Sequence, residues 1–357
     1  MRWRIDQLLY QKEEAFWLRV LLFPLYLLSI PYGWSVRART FFYARGLLNT
    51  KRLPCPVISV GNITVGGTGK TPLVVALAKG LKERGVTVAV LSRGYRRSRT
   101  AGSVVSDGRT IHLPQEGSGD EPYWMASNLP EIPVLVGKDR YLNGQKAIRE
   151  FNVRCLILDD GYQHLQLHRD LNIVLVDSQA GFGNRYLLPR GVLREPIAHI
   201  QRAHLILFTK VERVEECFPM EAALRETHPS SSIFHSRYEP MGLIGSKGEE
   251  EEIESLRGKK VFAFSGIARP ESFAFILRKN GAKIVKEVFF PDHHLYTGKD
   301  LAWIQKESTG VDRVVTTEKD MVKLQTLNMG QHSIWALRIE IRLWEEEEFF
   351  KKVMEIF

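Results

Sequence analysis

Cysteine is scarce in this chain: Cys55, Cys155 and Cys217 are scattered over 357 residues. There is no CxxC pair and no even framework, so a disulfide scaffold is excluded and the thiols read as those of a reducing compartment. Internal repeats and low-complexity segments are absent as well. With 44% apolar and 25% charged residues, wholesale disorder, a collagen-like repeat and a multi-span membrane protein are excluded. Acidic residues are the minority charge, 41 against 50 Lys plus Arg, which leaves a formal net charge of +9. That balance favours an anionic partner, whether nucleic acid, phosphorylated substrate or anionic lipid, without choosing among them. The length exceeds what one core fills and suits two domains or lobes.

One long apolar stretch is present. Residues 15–34, AFWLRVLLFPLYLLSIPYGW, match a membrane span in length, but Arg19 sits near the start and Pro24 and Pro31 interrupt it. Pro-Tyr-Gly-Trp is a poor signal-peptidase site. Arg2, Arg4 and Lys12 precede the stretch, and Arg37, Arg39, Arg45, Lys51 and Arg52 follow it. Trp3, Trp17, Tyr26, Tyr32, Trp34, Phe41, Phe42 and Tyr43 add the aromatic and basic mixture of a headgroup interface. A membrane anchor lying in, or dipping through, the cytoplasmic face is the preferred reading. A buried helical hairpin broken at the prolines is the alternative.

After Pro54 short continuous apolar runs alternate with helical segments: Val57–Val60, Val86–Leu91, Val134–Val136, Cys155–Leu158, Ile173–Val176 and Leu205–Phe208. Such runs suit parallel strands covered on both faces. Thr71–Arg84 is amphipathic, opens Thr-Pro and stops at Gly85, so it predicts a crossover helix. The expected fold is therefore α/β: a P-loop NTPase-like, doubly wound parallel lobe, a second smaller α/β lobe, and an N-terminal hydrophobic helical anchor. Strands are expected in the second lobe at Val261–Phe264, Lys283–Phe289 and Arg313–Thr316, with helices at Pro270–Lys279 and Gly298–Lys306. Lys247–Arg257, rich in Glu, reads as a solvated linker or turn rather than a site. The boundaries fall at 1–50, 51–240 and 241–357.

The strongest local signal runs from Ser59 to Thr71, between a predicted strand and a predicted helix. Its loop, Thr64-Val65-Gly66-Gly67-Thr68-Gly69-Lys70-Thr71, converges backbone N–H groups on phosphate oxygens at a helix N-terminus. Lys70 reaches the terminal phosphates and the Thr71 hydroxyl can ligate Mg²⁺. The usual first glycine of such a loop is replaced by Thr64. Asp159 and Asp160 end an apolar strand, where acidic groups hold Mg²⁺ near the loop. Asp177 ends the next strand and competes, although a structural role suits it better. Gly119-Asp120-Glu121-Pro122 supplies a carboxylate for an acceptor hydroxyl, or merely a helix N-cap. Pro291-Asp292-His293-His294 offers a histidine for that base across a cleft, or solvated loop residues.

In order along the chain stand Gly61-Asn62, Gly66-Gly67-Thr68-Gly69-Lys70-Thr71-Pro72, Ser92-Arg93-Gly94-Tyr95, Gly119-Asp120-Glu121-Pro122, Leu158-Asp159-Asp160-Gly161-Tyr162-Gln163-His164, Leu193-Arg194-Glu195-Pro196, Phe290-Pro291-Asp292-His293-His294 and Thr316-Thr317-Glu318-Lys319-Asp320. With these motifs the sequence resembles the tetraacyldisaccharide 4'-kinases, the lipid A 4'-kinases of Gram-negative bacteria. The resemblance covers nearly the whole chain, and the family's own loop shares the Thr64 position. It implies transfer of phosphate from ATP, with Mg²⁺, to the 4'-hydroxyl of an acylated disaccharide phosphate lipid. The expected setting is the anionic cytoplasmic face of the inner membrane, with no nucleic acid partner. It makes Lys70 and Thr71 the phosphate and metal residues, Asp159 and Asp160 the metal acids, Asp120 the base and His293 its orienter. Gln163, His164 and Arg194 fall in the substrate neighbourhood. A membrane-associated P-loop ATPase or nucleotide switch is the competing reading. It leaves Asp120 and His293 without a task.

Overall fold

A computed structural model describes residues 15–94, 102–325, 327 and 333–357. Arg2, Trp3, Arg4, Lys12 and Tyr95 lie outside the described residues. The continuous apolar runs become the central strands. Val57–Gly61, Cys155–Asp159 and Leu171–Asp177 are buried along their whole length, as strands covered on both faces must be. Val57–Gly61 lies at the centre, parallel to both of the others.

One sheet of thirteen strands is formed among the described residues. From one edge its order is Lys283–Phe289, Lys260–Ser265, Arg313–Thr317, Ile334–Leu343, Ser232–Gly245, Leu205–Thr209, Leu171–Asp177, Val57–Gly61, Cys155–Asp159, Val88–Ser92, Val134–Val136, Val104–Ser106. Glu250–Glu251 pairs off this path with Ser232–Gly245. Most neighbours are parallel. Ser232–Gly245 joins the two halves: its first residues pair parallel with Leu205–Phe208, and the rest antiparallel with Ile334–Leu343. This strand and Ile334–Leu343 are the two longest elements of the sheet, and no apolar run in the sequence announced them. Partial exposure explains the silence, because the stretch Arg237–Met241 of the first strand and most of the second half of the other are only partly buried.

The helix Lys70–Glu83 packs Leu73, Val74, Leu77, Ala78 and Leu81 into the main core, where each large aliphatic side chain contributes about 1.5–3 kcal/mol. At Gly80 a Cβ would approach Cζ of the Phe350 ring to 2.1 Å, so glycine lets the C-terminal helix Glu346–Met354 close over this one. Phe262, Phe264, Tyr296, Leu301 and Met321 form a separate apolar cluster in the other half.

Two expectations are corrected here. Lys247–Arg257 is not a bare linker: it holds strand Glu250–Glu251 and a 3₁₀ turn, Ile253–Leu256, whose Ile253 and Leu256 are buried. The acidic residues hid two well-spaced anchors. At the amino terminus, Phe16–Leu21 and Phe23–Ala44 are helical, and the second helix continues through Pro31. No helix among the described residues is long and apolar enough to cross a membrane, so a spanning anchor is unsupported. Nor is the segment a buried hairpin. Phe16, Trp17, Leu21, Leu28 and Trp34 each expose more than half of their surface.

Candidate active site

Three loops at the carboxyl ends of the central strands build one side of a cleft. Gly66 and Gly69 adopt φ of 105° and 88°, which side-chain-bearing residues avoid, and Gly69 leads directly into the helix Lys70–Glu83. Asn62, fully buried, is the hub of the loop. Its Nδ2 donates to Oγ1 of Thr68 at 2.9 Å and of Thr64 at 3.3 Å, while Oδ1 accepts from Lys70 Nζ at 3.3 Å. Thr64 therefore has a job as an acceptor in place of the missing glycine. Gly61 is required by close approach, since a Cβ there would lie 2.6 Å from the Tyr162 Cβ.

Acids follow on the neighbouring strand, and adjacent residues behave oppositely. Asp159 is buried; among the described residues only Ser92 Oγ donates to it, at 3.0 Å, and its Oδ1 has no partner. Burial, with Glu121 and Asp160 nearby, pushes its carboxyl up to about 7. Asp160 has φ of 50°, a strained conformation for a non-glycine residue, which turns its carboxylate into the cleft. There Arg194 Nη1 reaches both oxygens at 2.9 Å and Lys70 lies at 3.6 Å. Burial opposes ionisation, but Lys70 and Arg194 outweigh it and hold Asp160 down to about 2. The orphaned Asp159 Oδ1 beside a committed Asp160 fits a cation supplied with a nucleotide, and Thr71, also buried, heads the adjoining helix. Among the described residues no three His, Cys, Asp or Glu side chains converge as a metal site.

Arg194 arrives because its segment is zipped onto the phosphate loop: Arg194 N–H donates to Ile63 O and Val65 N–H to Val192 O, each at 2.7 Å. Gln163 braces the same corner, donating from Nε2 to Asn62 O at 2.9 Å. His164 points elsewhere, among Arg140, Arg169 and Arg39; burial and those charges hold it down to about 4, hence neutral. The N-terminal helix touches this side directly. Tyr32 Oη donates to Arg194 O at 2.8 Å, and Arg39 donates to Gln163 O at 3.1 Å. Asp177 is fully engaged by Lys210 at 2.6 Å, Arg269 at 3.1 Å and two backbone N–H groups, which is the structural role expected of it. Lys210 also donates to Gly67 O at 2.9 Å and so steadies the loop from outside.

The other side of the cleft draws on both halves of the sheet. Gly119 is the N-cap of the helix Asp120–Asn128 and makes no side-chain cap bond, so Asp120 occupies the first turn without capping it. Asp120 Oδ1 accepts from Gln115 Nε2 at 2.8 Å, and its Oδ2 lies 3.3 Å from His293 Nδ1. His293, with φ of 57°, is held in this strained turn by its N–H to Gly266 O at 3.2 Å. Burial would raise Asp120, yet hydrogen bonds from His293 and Gln115 and the Lys323 charge pull it down to about 2. It is ionised at neutral pH. His294, by contrast, stacks on Phe290 at 4.6 Å between ring centroids and packs structurally rather than lying in solvent. Glu121 pairs with Lys319 at 2.5 Å, and its carboxyl is held low by Lys319 first and then, despite burial, by Lys70 and His293. Through this pair with Lys319, Glu121 ties the helix Asp120–Asn128 to the other half of the sheet.

Sequence reasoning missed Asn62, Gln115, Glu121, Lys319 and Lys323 as parts of this arrangement. Asn62, Glu121 and Lys319 stand in the motifs quoted above, whereas Gln115 and Lys323 lie outside them and carried no sequence signal.

A family profile described as tetraacyldisaccharide-1-P 4'-kinase (LpxK) matches residues 20–357. A tetraacyldisaccharide 4'-kinase of Syntrophus aciditrophicus is 41% identical over 340 residues, 92% of this chain and 91% of that one. Another, from Geobacter sulfurreducens, is 42% identical over 324 residues, 88% of each. Among solved structures, LpxK of Aquifex aeolicus in complex with ATP matches with a TM-score of 0.74 at 35% identity, covering 95% of this chain and 99% of that one.

Proposed function

This chain belongs to the tetraacyldisaccharide 4'-kinase family, and we propose how its own residues carry out that family's reaction. It is an ATP- and Mg²⁺-dependent kinase that phosphorylates the 4'-hydroxyl of a tetraacyldisaccharide 1-phosphate in lipid A biosynthesis. The backbone of Thr64–Gly69 cradles the nucleotide phosphates, and Lys70 neutralises charge on the transferring group. Thr71, Asp159 and Asp160 would hold Mg²⁺, which would supply charge neutralisation for the nucleotide phosphates when bound. Arg194 and Lys70 keep Asp160 ionised for that purpose.

Asp120 accepts the proton of the sugar hydroxyl as its oxygen attacks the γ-phosphorus. His293 keeps the carboxylate in line. The observation that carries this reading is the Asp120–His293 contact, made by two residues 173 positions apart and both partly buried in the cleft. A nucleotide switch needs no such group opposite its phosphate loop. Gln163 and Arg194 border the sugar phosphate; His164, neutral and turned toward arginines, belongs to that neighbourhood through packing.

The lobes divide near residue 240, inside the strand Ser232–Gly245, and face each other across the cleft. The exposed aromatic and aliphatic side chains of Phe16–Ala44, interspersed with Arg19, Arg37 and Arg39, lie in the anionic cytoplasmic surface of the inner membrane. The acyl chains then stay in the bilayer while the headgroup enters the cleft. The test is mass spectrometry of a tetraacyldisaccharide 1-phosphate incubated with the protein, ATP and Mg²⁺. Gain of one phosphate on the lipid is expected. ATP hydrolysis with unchanged lipid would make the chain a switch or ATPase instead.

A further inference from the structure

We propose that Lys323 is a positioning residue for the base: its ammonium, fixed by Asp320, holds the Asp120 carboxylate toward the acceptor hydroxyl. This rests on Asp120 being the base. Lys323 lies on the helix Glu318–Leu324, and its side chain is 3% exposed. A lysine buried to that degree requires a charge partner. Among the described residues it pairs with Asp320 Oδ1 at 3.0 Å and Asp120 Oδ2 at 3.8 Å.

Asp320 is itself immobile. Fully buried, it accepts at Oδ2 from Gly266 N–H at 2.9 Å and from Thr317 Oγ1 at 2.7 Å. The Tyr296 ring, with its centroid 6.0 Å from Nζ, closes another side of the ammonium. Gly266 is shared: its N–H binds Asp320 and its carbonyl binds the His293 N–H at 3.2 Å. One backbone unit therefore sets both groups that meet Asp120 Oδ2. Among the described residues the charges facing Asp120 are His293 and Lys323, both from the second lobe; its other oxygen is held by Gln115 within its own lobe.

The pair Asp320–Lys323 is close to neutral, so the extra negative charge rests on Asp120, the more exposed of the two carboxylates. In the transfer the sugar oxygen bonds to the γ-phosphorus and the bond to the β–γ bridging oxygen breaks. ADP leaves with that electron pair, and the hydroxyl proton passes to Asp120. Lys323 takes no part in the proton transfer. Its contribution is geometric and electrostatic, so removing it should lower kcat and leave the KM for ATP alone.

The experiment measures kcat and the KM for ATP on tetraacyldisaccharide 1-phosphate for Lys323→Met, Lys323→Arg, Asp120→Asn and the pair Asp120→Asn with Lys323→Met. Lys323→Met should lose about tenfold in kcat with ATP KM within about twofold, and Lys323→Arg should recover most of the loss. In the Asp120→Asn background the same substitution should cost less than about twofold, because the group it serves is gone. Near-UV circular dichroism checks folding, and Lys323→Gln takes the place of Lys323→Met in the cycle if the methionine variant does not fold. An equal loss in both backgrounds would overturn the positioning role and leave Lys323 a packing residue. Full turnover by Asp120→Asn alone would instead overturn the base assignment on which this proposal rests.

Discussion

The two sides of the cleft are built differently. The phosphate side comes from consecutive loops of one parallel sheet: Asn62, Lys70, Asp160, Gln163 and Arg194 reach each other through neighbouring strands and a zipped backbone. The side proposed to hold the base is assembled across the joint, with Asp120 and Gln115 from one half and His293, Lys319 and Lys323 from the other. The first side also touches the second half, since Arg269 reaches Asp177 at 3.1 Å and a Cβ at Gly67 would lie 3.4 Å from Ala268. The second side draws its side chains from both halves, so it exists only where they meet.

This difference sorts the expected effects of substitution. Lys70→Ala strikes the phosphate side and should produce the largest loss, several orders of magnitude in kcat, read as phosphorylated lipid per unit time. A near-normal rate would remove this loop from the chemistry. Asp160 would also lose a cation in that variant, since Lys70 lies 3.6 Å from it.

A smaller effect, in stability rather than rate, belongs to the joint. Glu318 begins the helix that carries Lys319 and Lys323, and burial raises its carboxyl from 4.5 to about 7. Its folded pKa lies above the unfolded one, so its contribution is complete below about 4.5 and is lost as pH rises through 7. Glu318→Gln, a mimic of the protonated acid, should therefore match the parent in melting temperature at pH 5 and exceed it at pH 8.5. Equal melting temperatures at both values would mean the carboxyl is solvated. The smallest effect should come from Tyr32→Phe. It removes one hydrogen bond to Arg194 O, worth about 1 kcal/mol, and leaves the Arg194–Asp160 pair in place. Calorimetry at neutral pH checks it.

The same contrast explains what the sequence disclosed. Fully buried strands write themselves as unbroken apolar runs, so Val57–Gly61, Cys155–Asp159 and Leu205–Thr209 were legible within a residue or so. The phosphate loop was legible because strand, glycines, lysine and helix are contiguous in the chain. Ser232–Gly245 and Ile334–Leu343 were not, since they are partly solvated and pair with each other across a hundred residues. Asp120 and His293 were named through the family resemblance, because neither local pattern distinguishes a base from a cap or an orienter from a loop histidine. Lys323 escaped notice altogether: a single lysine one turn beyond Asp320 means nothing until the fold buries it. Pro31 misled for a physical reason as well. Its missing N–H costs one helical hydrogen bond, but the helix Phe23–Ala44 continues around it and gains the Tyr32 contact at the next residue.

The central claim is that Asp120 and His293 act as one unit although they come from opposite halves of the sheet. It is tested most directly by turnover of Asp120→Ala, His293→Ala and the double variant, with the KM for ATP measured alongside. Asp120→Ala should lose about 10²–10⁴-fold in kcat with little change in that KM, and His293→Ala should lose less. The double variant should then be scarcely slower than Asp120→Ala, because His293 has nothing left to orient. Losses that multiply in the double variant would contradict the account and separate the two residues into independent roles.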